Sequence, residues 1–249
     1  MEFKEFSEFT KSLSAYGSKL LLNTPASSVS NWAKPDGTIV TELDFMLEEK
    51  FREEISRKYP THSIIGEELP PLEKKSDYCW ILDPIDGTFN FSLGIPFYGI
   101  LIGLLLNGKP TFGSCRLPSY GNAFIAGDNK HCYLDDKVTK KSDTCNIDNA
   151  LILTSDETRL LSSSYVNSWL ELRKTGSTFR TWGDCFGYYL LLSGKADVMI
   201  DIGLKDCDIL PLLPILRGAG LSVLTLNPLN YSDIVVCVPK LTKKLSRIF

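Results

Sequence analysis

The sequence predicts a mixed chain with an N-terminal α+β half, residues 1–140, and a C-terminal α/β half, residues 141–249. Three observations carry this reading. An apolar four-residue period marks a helix early in the chain. Short apolar runs separated by tight turns follow it as an antiparallel meander. Beyond a polar stretch, strands alternate with helices.

The early period is Leu43, Leu47, Phe51 and Ile55, one stripe of a helix, with Thr41-x-x-Asp44 in front of it as a variant capping box. Ser63-Ile64-Ile65 is a short strand leading into Gly66-Glu67-Glu68, and Tyr78–Leu82 is a buried strand delivering Asp83. Phe97–Leu106 runs into Asn107-Gly108, a two-residue hairpin signal. Phe112–Leu117 and Ala123–Ala126 continue the meander, with Gly127-Asp128-Asn129 as the next turn. The polar stretch Asp135–Asp148 is expected to loop out between the halves. In the second half, Ala150–Thr154, Ala196–Ile200 and Ile234–Val238 read as strands. Ser162–Leu172, Asp184–Ser193 (closed by Gly194) and Asp208–Arg217 (ended by Gly218-Ala219-Gly220) read as helices.

Composition excludes several function classes. A net charge of −3 without a Lys/Arg block argues against nucleic acid as a partner. The longest apolar run, Phe97–Leu106, contains two glycines and is far too short to cross a membrane. The opening Met1-Glu2-Phe3-Lys4-Glu5 is mixed in charge, so a cytoplasmic location is expected. Seven widely spaced cysteines with no CxxC read as buried free thiols rather than disulfides or a zinc site. With two histidines, metal chemistry here is carboxylate chemistry, which favours hard cations.

The most informative segment is Asp83-Pro84-Ile85-Asp86-Gly87-Thr88, following the apolar strand. A single Asp at a strand end or turn is ordinarily structural. Here two carboxylates stand beside Gly87 and Thr88, whose N–H groups at the start of a helical turn suit a phosphate. Like charges beside an anion site repel, and a divalent cation between them resolves the conflict.

In this string the chain resembles the inositol monophosphatase superfamily of metal-dependent, lithium-sensitive phosphatases, whose central signature it matches. Gly66-Glu67-Glu68 is similar to the upstream metal-binding segment. Lys34-Pro35-Asp36 with Val40-Thr41-Glu42-Leu43-Asp44 is similar to the N-terminal segment, and Ala196-Asp197 through Asp208 to the C-terminal one. The resemblance implies a layered αβαβα sandwich of the sugar-phosphatase type and a homodimer. It implies metal ligation by Glu67, Asp83, Asp86, Asp208 and the Ile85 carbonyl. Mg²⁺ is the implied cofactor, as two or three ions, with Mn²⁺ as a substitute. Glu68, Thr88 and Asp44 would orient the attacking water, and Gly87 and Thr88 would hold the phosphate of a small-molecule ester.

The chain departs from the family in carrying Cys207 where Trp is usual before the final Asp. Asp206 is an alternative ligand to Asp208, although Asp208 keeps the distance to Gly218-Ala219-Gly220. Several residues have a plainer reading too: Glu68 as a solvated neighbour, Thr41, Asp44, Asp184 and Asp208 as helix caps, and Lys34 as a surface residue. For specificity, Gly183-Asp184-Cys185-Phe186-Gly187-Tyr188 and Gly203-Leu204-Lys205 resemble the histidinol-phosphatase branch, with Asp184 and Asp201 as substrate-binding residues. Two added carboxylates suit a cationic ligand. Leu93, where inositol phosphatases often carry His, points the same way. Inositol 1-phosphate or another sugar or nucleotide phosphate is the second reading. A catalytically weak binding protein is a third, opposed by the intact Glu67, Asp83, Asp86 and Thr88.

Overall fold

The computed structural model describes residues 1–249 as a five-layer sandwich. Helix α1 (Phe3–Asn23) leads to a small antiparallel pair, β1 (Asn31–Ala33) and β2 (Ile39–Thr41), and then to α2 (Glu42–Lys58). A seven-stranded sheet follows. Its members are β3 (Ser63–Gly66), β4 (Tyr78–Asp86), β5 (Gly99–Leu106), β6 (Lys109–Leu117), β7 (Ala123–Gly127), β8 (Cys132–Leu134) and β9 (Lys137–Val138), side by side in that order. The short helix α3 (Thr88–Ser92) sits between β4 and β5.

The second sheet has five strands: β10 (Leu151–Thr154), β11 (Thr178–Arg180), β12 (Val198–Asp201), β13 (Ser222–Thr225) and β14 (Ile234–Cys237), in the order β11-β10-β12-β14-β13. Its helices are α4 (Glu157–Leu161), α5 (Val166–Leu172), α6 (Asp184–Leu192), α7 (Asp206–Ile209), α8 (Leu212–Gly218) and α9 (Thr242–Ile248).

Burial explains the layering. The stripe Leu43, Leu47, Phe51 and Ile55 of α2 packs with Phe6, Leu13 and Leu21 of α1 against Trp80, Leu82, Ile100 and Ile102 on one face of the large sheet. The other face carries α6 and α8, which also touch the small sheet. A larger core fills that space, from Leu101, Cys115 and Ile125 across Phe186 and Leu213 to Ile152, Met199 and Val236. Helices α5 and α9 pack together on the outer face. Asn107 and Gly108 both have positive φ, 50° and 73°, as the tight hairpin between β5 and β6 requires. No helix is long and apolar enough to cross a membrane.

Several expectations need correction. The helix expected over 162–172 starts at Val166, because Ser163 spends its side chain on the Leu160 carbonyl and the Tyr165 N–H. The short α4 precedes it, capped by Asp156. The helix expected over 208–217 is two helices, since Pro211 has no N–H to continue the first, and that first helix starts at Asp206. Strand β4 runs on to Asp86, with its register to β5 shifting between Asp83 and Asp86 around Pro84. Not every thiol is buried: Cys145 is exposed and Cys79 half-buried.

Candidate active site

The sandwich brings the acidic segments together at one end. The carboxylate oxygens of Glu67, Asp83 and Asp208 and the sulfur of Cys207 all lie within 4.8 Å of one another. Glu67 follows β3, Asp83 lies in β4 and Asp208 in the first turn of α7. The strand pair β3–β4 and the packing of α7 on β4 therefore set the group. Asp206 is exposed and outside it.

A cleft of about 500 Å³ opens over this group, lined by Glu67, Asp83, Ile85, Asp86, Gly87, Thr88 and Asp208. Asp86 and Ile85 share the cleft without joining the tight set. Asp86 Oδ2 accepts the Cys185 N–H at the start of α6, tying the two sheets' elements together. Gly87, in front of α3, has φ of 87°, and a Cβ there would stand 2.6 Å from the Phe97 carbonyl, so only glycine serves.

Burial, followed by the charges of Glu67, Asp86, Asp208 and Asp44, pushes the Asp83 carboxyl well above its ordinary range. Burial likewise raises Asp86, with Asp184 and Asp208 adding to it, and raises Asp208 against the hydrogen bond from the Lys205 N–H. A shared divalent cation removes this mutual repulsion, and an all-oxygen set of carboxylates fits a hard one.

The glutamate loop is positioned from beneath. Glu48, fully buried on α2, accepts the Glu68 N–H at 2.8 Å and the Leu69 N–H at 3.2 Å, and pairs with Arg52 at 2.7 Å. A Cβ on Gly66 would lie 2.0 Å from Glu48 Oε1, so glycine lets the loop ride over that carboxylate. Lys34 is no free surface residue: its Nζ pairs with Glu67 at 3.0 Å and Glu68 at 2.6 Å. Burial pulls the Lys34 ammonium down, but these pairs outweigh it and hold it above its usual value. Glu68 is likewise not a solvated neighbour, since its side chain is 4% exposed. Lys205 reaches Glu67 at 3.0 Å and Asp36 at 3.2 Å.

Thr41 and Asp44 form the capping box at the start of α2, with Asp44 Oδ2 accepting from the Thr41 N–H and hydroxyl. Burial drives the Asp44 carboxyl up to about 6.

A second cleft of about 400 Å³ adjoins the first and shares Asp86, Asp156, Arg159, Asp184 and Asp208 with it. Asp184 and Asp201 both line it. Asp184 caps nothing: it is the first residue of α6, at φ of 51°. Its Oδ2 accepts from Asn90 at 2.9 Å while its Oδ1 carries no protein hydrogen bond. Asp201 is engaged on both oxygens, by the Ser155 N–H at 3.0 Å and the Tyr188 hydroxyl at 2.8 Å. Burial lifts Asp184 to about 7 and Asp201 to about 6.

Sequence reasoning missed Glu48, Arg159, Asn90, Ser155 and Tyr188. The spacing of Glu48 and Arg52 was visible as an i,i+4 pair, but it resembles any surface pair. Tyr188 lies in the Gly183–Tyr188 segment read for specificity but had no role of its own there, and Arg159 and Ser155 carry no local signature.

Comparison with known proteins agrees with this geometry. The chain is 31% identical over 193 residues to the histidinol-phosphatase of Chlorobaculum parvum, covering 78% of this chain and 74% of that protein. It is 34% identical over 189 residues to the chloroplastic bifunctional phosphatase IMPL2 of Arabidopsis thaliana, covering 75% of this chain and 54% of that protein. The fold matches that of an inositol monophosphatase from Anabaena with a TM-score of 0.82 at 22% identity, covering 98% and 95% of the two chains. The model of the inositol monophosphatase family matches residues 5–245, and the chain belongs to that family of metal-dependent phosphatases acting on small phosphate esters.

Proposed function

We propose that this phosphatase hydrolyses histidinol phosphate in a Mg²⁺-dependent reaction. The carrying observation is the unengaged Oδ1 of Asp184 in a cleft that adjoins the carboxylate group and also holds Asp156 and Asp201. The amine and imidazole of that substrate are cationic partners for such a wall, while its phosphate lies toward Thr88 and Gly87. The Arg159 guanidinium, held by the Ile202 carbonyl at 3.0 Å, stands at the border of both clefts and supplies positive charge on the phosphate side.

Glu67, Asp83 and Asp208, with Asp86 and the Ile85 carbonyl beside them, would hold two or three Mg²⁺ ions, or Mn²⁺ in their place. Bound there, the metal acidifies a water and neutralises charge on the phosphate. The protein's own share is positioning. The Thr88 hydroxyl donates toward Asp44 and the Ile85 carbonyl, which leaves its oxygen lone pairs free to accept a proton from the attacking water. Asp44 Oδ1, at the end of that relay, can take up the proton. Lys34 pairs with both Glu67 and Glu68 and so holds the glutamate loop against the carboxylate group. No cysteine or histidine is needed as a nucleophile.

Phosphate release from histidinol phosphate, inositol 1-phosphate and a nucleotide 3′-phosphate, with and without Mg²⁺, tests the reading. The expected result is a kcat/KM for histidinol phosphate about tenfold or more above the others, equivalent to about 1.4 kcal/mol of transition-state preference. A preference for inositol 1-phosphate makes the second reading the correct one. No metal-dependent release from any ester favours a binding protein.

A further inference from the structure

We propose that Cys207 gives the carboxylate cage a sulfur donor, so that the centre also takes a thiophilic divalent cation, Zn²⁺ or Cd²⁺, on Glu67, Asp83, Asp208 and Cys207. This rests on the reading of the three carboxylates as a metal centre and adds a ligand that the family's usual Trp could not supply.

The Cys207 sulfur belongs to the same tight group as the three carboxylate oxygens. It lies 3.3 Å from Asp208 Oδ1, so the thiol points into the cage. The residue is 7% exposed and packs beside Ile81 and Leu105 of β4 and β5. That packing holds the side chain between the sheet and the carboxylates. Asp206, one residue earlier on the same helix turn, faces solvent.

The donor set is then three carboxylate oxygens and one sulfur. Mg²⁺ wants about six hard oxygen ligands in near-octahedral order and gains nothing from sulfur. Zn²⁺ is satisfied by four donors drawn from thiolate and carboxylate, and Cd²⁺ is softer still. On binding, the thiol proton leaves to solvent and the sulfur coordinates as thiolate. One cage thus serves two classes of cation, and a thiophilic ion held there competes with the catalytic one.

The test uses the full chain and Cd²⁺ alone as the probe, read by the ultraviolet thiolate-to-cadmium charge-transfer band. Wild type and Cys145→Ser, which removes the exposed thiol, should both titrate to a band at one equivalent. Cys207→Ser should lose it, and Asp208→Asn, with the thiol intact, should weaken Cd²⁺ binding about tenfold or more. A wild type without the band, a band that survives Cys207→Ser, or one indifferent to Asp208→Asn overturns the proposal. X-ray absorption at the zinc edge of the wild type needs no variant. A sulfur at about 2.3 Å supports the inference, and a shell of oxygen and nitrogen alone overturns it. Turnover with Mg²⁺ but no sulfur ligation sinks this inference alone. Sulfur ligation without phosphatase activity sinks the functional reading alone.

Discussion

The Thr88 hydroxyl lies 3.1 Å from Asp44 Oδ1 and 2.7 Å from the Ile85 carbonyl, joining the signature segment to the first turn of α2 across 44 residues. The capping box thereby has two tasks, since Asp44 Oδ2 stays with Thr41 while Oδ1 faces Thr88. Thr88→Ala and Asp44→Asn should each lower kcat about a hundredfold with a much smaller change in KM, because the relay acts on the water and not on substrate binding. Steady-state kinetics on purified variants checks this. A KM effect as large as the kcat effect refutes the relay.

The cage discriminates between neighbouring aspartates. Asp208→Asn should cut Mg²⁺-dependent turnover about a thousandfold, since a ligand and a charge are lost together. Asp206→Asn, on an exposed side chain, should stay within about twofold of wild type. The reverse order would assign the ligand to Asp206.

The seat of the glutamate loop is a steric matter. Gly66→Ala forces a methyl group against Glu48 and should lower stability by about 2–3 kcal/mol, a shift of several degrees in Tm. It should also weaken Mg²⁺ binding, because Glu67 is carried by the same loop. A thermal melt and a calorimetric Mg²⁺ titration read the two effects separately.

Stability of the metal-free protein should rise as pH falls from about 7.5 to about 5. Asp44 and Asp201 titrate near 6 and Asp184 near 7 in the folded chain, against 3.8 for an ordinary Asp. The folded state holds these protons more tightly than the unfolded one, so stability is lost as pH rises through that window. Each two-unit shift amounts to about 3 kcal/mol between neutral pH and pH 4, of which about half is regained by pH 5. His62, whose pKa burial lowers from 6.5, works in the opposite direction and trims the gain. Asp201→Asn should raise Tm at neutral pH and flatten the profile. A Tm that falls steadily over this range in both proteins contradicts the account.

Asp184→Asn separates the candidate substrates. It should cost histidinol phosphate about tenfold or more in kcat/KM and leave an inositol ester within about twofold. Equal losses on both esters sink the cationic reading of this cleft.

How far the sequence could be read depended on how local each signal was. The stripe Leu43 to Ile55, the hairpin at Asn107-Gly108 and the acidic string after β4 are short-range patterns, and the fold class was legible through them; the grouping of Glu67 and Asp208 with Asp83 was implied only by the family resemblance that the acidic string carries. Helix α1 was not, because its buried face mixes Phe6 and Leu13 with Thr10, Ser14 and Ser18, whose hydroxyls are satisfied within the helix or across to Asn122. Glu48 under the glutamate loop and Ser155 between Asp184 and Asp201 act through contacts between distant segments, which leave no mark on either segment alone. The break at Pro211 was visible in the sequence, yet the apolar period on both sides of it concealed the stop.

Anomalous scattering from crystals grown with Mn²⁺ shows whether these carboxylates hold a divalent cation. A peak in contact with the carboxylates of Glu67, Asp83 and Asp208 is the expected result. Ordered side chains in this arrangement with no peak among them, or a peak held by other residues, would contradict it.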